Sequence, residues 1–257
     1  MPILGGTHIR RQVRAVPSPT GAVGSFARWV AEECPRDARV LNIGAGSNLS
    51  GALTPIRRRA GVLVGVDPDP AISDNLTLDE GHCQTLEEYA ATGPQPFDLA
   101  FSVFVLEHVQ DPTAFTDACA RVLRPGGVLM GMTVNMWHYF GLATWAATRA
   151  GVADRLLPHL RPQSQVDRYH FATEYRINTI RAMMRHLDNS GFDEVQFRCW
   201  DLPSMYEPYL PGPVRGVARL YNKAVYRIGS PHLMGHITFR ATMGPGLAST
   251  EPEPRLA

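Results

Sequence analysis

The residues with the clearest chemical potential stand at the ends of two short apolar runs. Arg39-Val40-Leu41-Asn42-Ile43 ends in Gly44-Ala45-Gly46, and Val62-Leu63-Val64-Gly65-Val66 ends in Asp67, followed by Pro68. A strand that stops in Gly-x-Gly lets backbone approach a ligand closely, because neither glycine carries a Cβ. An acidic residue roughly 20 positions further, at the end of the next strand, can accept hydrogen bonds from both hydroxyls of a ribose. Together the two features predict an adenosine site. A dinucleotide loop needs a third glycine to bring helix and strand together over a pyrophosphate. Here Leu49 stands at that position, which disfavours a nicotinamide oxidoreductase.

These residues need a sheet to position them. The segment between the two runs is long enough for a helix, giving a βαβ unit and a parallel sheet. The alternation continues with an apolar run over 97–105, a helix over 112–123 capped by Asp111 with Pro112 at its first position, and a turn at Pro125-Gly126-Gly127. A strand follows over 128–134, then a helix over 179–189 stopped by Gly191, and closing strands over 195–199 and 233–240. This order predicts a doubly wound α/β sheet of seven strands, Rossmann-like, with an antiparallel last strand and a mostly helical insertion acting as a lid. The expected organisation is a flexible arm over 1–20, one domain over 21–242 with insertions at 135–175 and 201–230, and a flexible tail over 243–257.

Further motifs occur in order: Phe97-Asp98-Leu99, Val105-Leu106-Glu107-His108-Val109, Asp111-Pro112, and Arg121-Val122-Leu123-Arg124-Pro125-Gly126-Gly127. With the glycine loop and Asp67, this set resembles class I S-adenosylmethionine-dependent methyltransferases of the small-molecule type over about residues 38 to 134. The resemblance implies S-adenosylmethionine as cofactor. It places Gly44, Ala45 and Gly46 along the methionine and ribose, Asp67 on the ribose hydroxyls and Pro68 beside the adenine. It also places His82 and Cys83 by the adenine amine, and Ser102, Val103 and Leu106 at the methionine end. Two positions depart from the family pattern. Asn42 stands where an acidic residue is common, and His82 where an Asp is usual.

An oxygen acceptor of high pKa calls for a general base, and histidine is the default near neutral pH. His138 ranks first, His170 second, and His108, after the third motif strand, is a further candidate; His159 lies in the same insertion. Each has a structural alternative, an aromatic lid residue for His138 and a helix-entry residue for His108. Asn178 and Thr179 read as caps of the following helix. The expected reaction is O-methylation of a hydroxylated small molecule such as a sugar, a polyketide or a lipid-linked metabolite. N- or C-methylation, or a member of the fold that keeps the cofactor as a structural ligand, are the alternatives.

Composition limits the rest. The chain has 257 residues, 44% hydrophobic, and a formal charge of +1 from 25 basic and 24 acidic residues. Nothing in that balance calls for nucleic acid. Four scattered cysteines form no metal-ligand cluster and suit a reducing cytoplasm, and the N-terminus lacks a signal-peptide pattern. Charge is local: Arg215, Arg219, Lys223 and Arg227 recur every four residues beside an apolar helical face. Such a stripe is expected to be a solvated face, a weak peripheral membrane contact or a hold on an anionic or lipid-linked acceptor.

Overall fold

The computed structural model describes residues 12–15, 21–47, 51–151, 172–200, 206, 210 and 212–245. The elements in chain order are β1 (Gln12–Ala15), α1 (Ala22–Glu33), β2 (Ala38–Ile43), α2 (Thr54–Arg57), β3 (Ala60–Val66), β4 (Glu80–His82), α3 (Leu86–Ala91) and β5 (Phe97–Val103). There follow α4 (Pro112–Val122), β6 (Leu123–Val134), α5 (Tyr139–Arg149), α6 (Ile180–Asn189), β7 (Phe192–Trp200), α7 (Gly212–Ile228) and β8 (His236–Met243).

The strands form one sheet in the order β1-β7-β8-β6-β5-β2-β3-β4. Every pairing is parallel except those of β8 with β6 and β7. Central parallel strands are covered on both faces and so read as continuous apolar runs rather than alternating ones. On one face α1 packs Phe26, Trp29 and Val30 onto Val40, Leu63, Leu99 and Phe101. On the other, Phe115 and Cys119 of α4 and Met183 and Leu187 of α6 join Leu41, Ile43 and Val64. Leu41 and Ile43 therefore face one core and Val40 the other, with Asn42 on the Val40 side, as the two-residue strand period requires.

The helices begin where the side chains can satisfy their first N–H groups. Asp111 accepts from the amides of Thr113 and Ala114, with Pro112 at the first helical position. Thr179 caps α6 by accepting from Ala182 N, and Thr85 with Glu88 forms a capping box on α3. Each such cap contributes about 1 kcal/mol.

Four features differ from the sequence reading. The sheet has eight strands, because Gln12–Ala15, inside the expected flexible arm, pairs with β7 along the edge. The short strand β4 also joins, beside β3. Pro125-Gly126-Gly127 interrupts no strand: β6 runs through it, the pairing stepping from Phe97↔Leu123 to Leu99↔Val128 so that residues 124–127 bulge out of register. Between β2 and β3 the described residues hold only a 3-10 turn and the four-residue α2 where a full helix was expected.

Asp98 fastens the lower end of the sheet. Its Oδ2 accepts from Arg39 N at 2.8 Å, and its Oδ1 accepts from Arg124 Nε at 2.7 Å. One carboxylate thereby joins β2, β5 and β6. Asp98→Ala leaves the Arg39 amide without its acceptor, which costs about 1–3 kcal/mol. Urea unfolding of that variant should show a lowered midpoint with an unchanged slope; an unchanged midpoint would show that water replaces the carboxylate without loss.

Candidate active site

The chain runs from β2 outward to β3 and β4, then returns to β5 on the other side of β2. The carboxyl ends of β2 and β5 therefore flank a topological switch point, the place where open α/β sheets bind ligands. Gly44 to Gly46 leave β2 there, and residues 104 and 105 leave β5.

Three hydrogen bonds shape the glycine loop. Gly44 N and Ala45 N both donate to Val66 O, at 2.8 and 3.2 Å, and Gly46 N donates to Asp67 Oδ2 at 2.8 Å. The loop amides are thus used within the chain, and the loop acts by shape more than by amide donation. Gly44 has φ +70°, and a Cβ there would collide with Val105, so a glycine is needed on both counts. A Cβ on Gly46 would enter open space. Asn75 clamps the loop from outside, its Nδ2 donating to Ala45 O and Gly46 O at 3.2 and 3.0 Å.

Asp67 is buried beside this open space. Its second oxygen accepts from Asp69 N at 2.8 Å, and its own amide donates to His82 O. A carboxylate offers about four lone-pair positions. Two are taken, which leaves capacity for the two hydroxyls of a ribose. Pro68 and Cys83 come together on the exposed rim next to it, the thiol 3.7 Å from Pro68 O. The residues at hand fit an adenosine-type ligand with Asp67 on its sugar and Pro68 and Cys83 at its base.

The remaining predicted residues divide. Asn42 is buried near the end of β2. Ser102 is buried and Val103 half-buried at the end of β5. Leu106 is not a lining residue; it is enclosed in the core. The His82 ring packs on Tyr89, centroids 4.8 Å apart, so its contribution at the rim is its carbonyl, which receives Asp67 N. Phe104, with φ +57°, is a left-handed residue outside glycine, a strained conformation that clusters at binding sites. It turns the chain so that Val105 meets Gly44.

His138, ranked first as base, is misplaced for that role. It is fully buried as the cap of α5, its Nδ1 accepting from Phe140 N and its Nε2 3.3 Å from Asn222 Oδ1. Burial pushes its pKa down to about 4, with the Asn222 hydrogen bond opposing. No acceptor hydroxyl reaches a ring enclosed by Tyr139, Tyr206 and Tyr221. The aromatic lid reading is the right one. His170 and His159 lie outside the described residues. His108 is half-buried beyond β5, its Nδ1 2.9 Å from Ala172 O. A carbonyl only accepts, so Nδ1 carries a proton.

Sequence reasoning missed Asn75 and a buried chain beside His108. Asn178 Nδ2 donates to Thr133 Oγ1, which donates to Glu107 Oε2 at 2.7 Å, while Glu107 O receives the amides of Glu174 and Tyr175. Burial pushes the Glu107 carboxyl up, with the Thr133 hydroxyl opposing. Asn178 is therefore an interior strut, and Thr179 alone is the cap. The Asx-type pattern Asn75-Leu76-Thr77, in which Asn75 Oδ1 accepts from Thr77 N, was the available signal for the clamp.

Residues 18–196 match a family model described as a methyltransferase domain. A ubiquinone biosynthesis O-methyltransferase of Bradyrhizobium sp. (strain ORS 278) is 36% identical over 119 residues, which are 43% of this chain and 46% of that protein. The protein of the same name from Xylella fastidiosa (strain 9a5c) is 36% identical over 108 residues, 38% of this chain and 42% of that one. The chain thus spans just under half the length of these curated relatives. Among solved structures, a SAM-dependent methyltransferase from Archaeoglobus fulgidus aligns over 86% of this chain and 92% of its own, at 15% identity and a TM-score of 0.54. The cyclase SpnF aligns over 87% and 82%, at 15% identity and a TM-score of 0.52. These likenesses establish the fold, which by itself specifies no reaction.

The lid histidines set a pH dependence. Burial lowers His138 to about 4 and His236, hydrogen-bonded to Tyr206 Oη at 2.8 Å, to about 3. Both folded values lie below the unfolded value near 6.5. The unfolded chain therefore binds protons first, and stability present above pH 6.5 falls as pH drops toward 4, by up to about 1.4 kcal/mol per pH unit for each ring. Unfolding midpoints between pH 7 and 5 should show this slope, and His236→Gln should flatten it; equal slopes would place its protonation elsewhere.

Proposed function

The chain belongs to the methyltransferase domain family, and on that premise we propose that it binds S-adenosylmethionine at the β2–β5 crevice and methylates a hydroxyl oxygen of a small molecule. The observation that carries this reading is the pairing of Asp67, with acceptor capacity to spare, and the open space beside Gly46. An oxygen acceptor is favoured because the matched relatives are named O-methyltransferases. An acceptor with a sugar, polyketide or lipid-linked skeleton fits equally.

The cofactor, when bound, would supply a methyl carbon on a sulfonium, open to in-line attack by the acceptor oxygen with the thioether as leaving group. This chain's contribution is alignment and one proton. Asp67 orients the sugar, and Gly44 with Val105 sets the wall of the crevice. Positioning of this kind is worth up to roughly 7–11 kcal/mol. His108, held by its Nδ1 contact to Ala172 O, is the side chain that would take the hydroxyl proton as the O–C bond forms and the S–C bond breaks. Asn42 supports the methionine amine through a neutral amide in place of a carboxylate.

The test uses S-adenosylmethionine labelled in its methyl group with phenolic, sugar and amine acceptors. Label should appear in an oxygen-methylated product. His108→Ala should lower turnover about 10²–10⁴-fold with affinity for S-adenosylhomocysteine unchanged. Full turnover in that variant would refute the base. Cofactor binding without transfer to any acceptor would favour the non-methylating alternative.

A further inference from the structure

Helix α7 packs inward through a narrow seam, Ala218, Asn222 and Val225. Tyr221 adds a hydrogen bond from its hydroxyl to Leu233 O, and Asn222 meets His138 of the lid. The rest of its surface faces outward, and that surface is sorted. At about 100° per residue, Leu220, Ala224, Val217 and Ile228 fall in one sector about 80° wide. Val217 is 68% exposed, Leu220 69% and Ile228 72%. Next to it, Arg215, Arg219, Lys223 and Arg227 fill a sector about 120° wide.

Two physical arguments choose the occupant. Neighbouring like charges at intervals of four repel by about 0.2–0.5 kcal/mol per pair, and Arg215, Lys223 and Arg227 are exposed. These side chains suit an external anionic surface. The apolar strip costs free energy in water, and large exposed aliphatic side chains in a contiguous strip mark an interaction site. A bilayer surface satisfies both at once, with anionic headgroups for the basic sector and the acyl boundary for the strip. A helix with a charged face and an adjoining apolar face lies in the plane of such an interface. No helix among the described residues is long and apolar enough to cross a membrane.

We propose that α7 is a peripheral docking helix, which lays Val217, Leu220 and Ile228 into an anionic membrane surface and sets Arg215, Lys223 and Arg227 against its headgroups. The inference does not rest on the identity of the reaction. Its position on the lid, through the Asn222–His138 contact, brings the membrane to the same end of the sheet as the crevice.

Flotation with vesicles of phosphatidylcholine alone, and of phosphatidylcholine containing phosphatidylglycerol, tests it without any acceptor. The full chain should float with the anionic vesicles only, and less so at high salt. Lys223→Gln with Arg227→Gln should weaken binding about 30-fold, at about 1 kcal/mol per basic residue and 1.4 kcal/mol per decade. Leu220→Ser with Ile228→Ser should reduce it at least tenfold, with S-adenosylhomocysteine affinity and melting temperature kept as controls for folding. Equal binding to both vesicle types, no binding, or indifference to both double variants would overturn the proposal. Concentration-dependent dimerisation abolished by Leu220→Ser and Ile228→Ser, without flotation, would assign the strip to a second copy of the chain instead.

Discussion

The carboxylate of Asp67 bridges two backbone amides, Gly46 N on the loop after β2 and Asp69 N on its own turn, each at 2.8 Å. That bridge determines where the glycine loop lies with respect to the end of β3. Val66 O, one residue earlier, receives Gly44 N and Ala45 N, so the two strand ends are joined three times within a few residues. The carbonyls of the same loop are taken by Asn75. Little of the loop remains adjustable. Such preorganisation matters for a group transfer that depends on alignment, because geometry fixed on folding need not be fixed again on binding.

The opposite wall is positioned by a strained residue held by a backbone hydrogen bond. Phe104 occupies the left-handed region, its amide donating to Met132 O on β6, and this throws Val105 against Gly44. Beneath it the Asn178–Thr133–Glu107 chain ties β6, the segment after β5 and the entry to α6. Such a network is costly to break, because each buried polar group depends on its neighbour. His108 stands directly after Glu107 and draws its orientation from Ala172 O. His138 of the lid and His236 of β8, by contrast, pack against tyrosines, and burial favours their neutral rings.

Legibility in the sequence followed the range of the interactions. β2, the glycine loop, β3 and Asp67 were readable because apolar runs and turn residues are local signals. The Asp111 and Thr179 caps were readable for the same reason. Edge strand β1 was not, since a run of only four residues, mostly exposed, gains strand character only by pairing with β7, far along the chain. His138 was misjudged as a base because its burial comes from Asn222, Tyr206 and Tyr221, distant residues that close over it. Leu106 was misjudged similarly, a motif position that proved to belong to the core. The clamp by Asn75 lay in a turn with no chemical mark beyond its own side chain.

The central claim is that Asp67 recognises the sugar of the cofactor while holding the loop. Calorimetry with S-adenosylhomocysteine on the native chain and on Asp67→Ala tests it most directly. The account predicts saturable binding by the native chain and at least a tenfold weaker affinity in the variant, about 1.4 kcal/mol, with both proteins folded. Equal affinity in the two proteins would contradict it, as would tight binding of NAD with no response to S-adenosylhomocysteine.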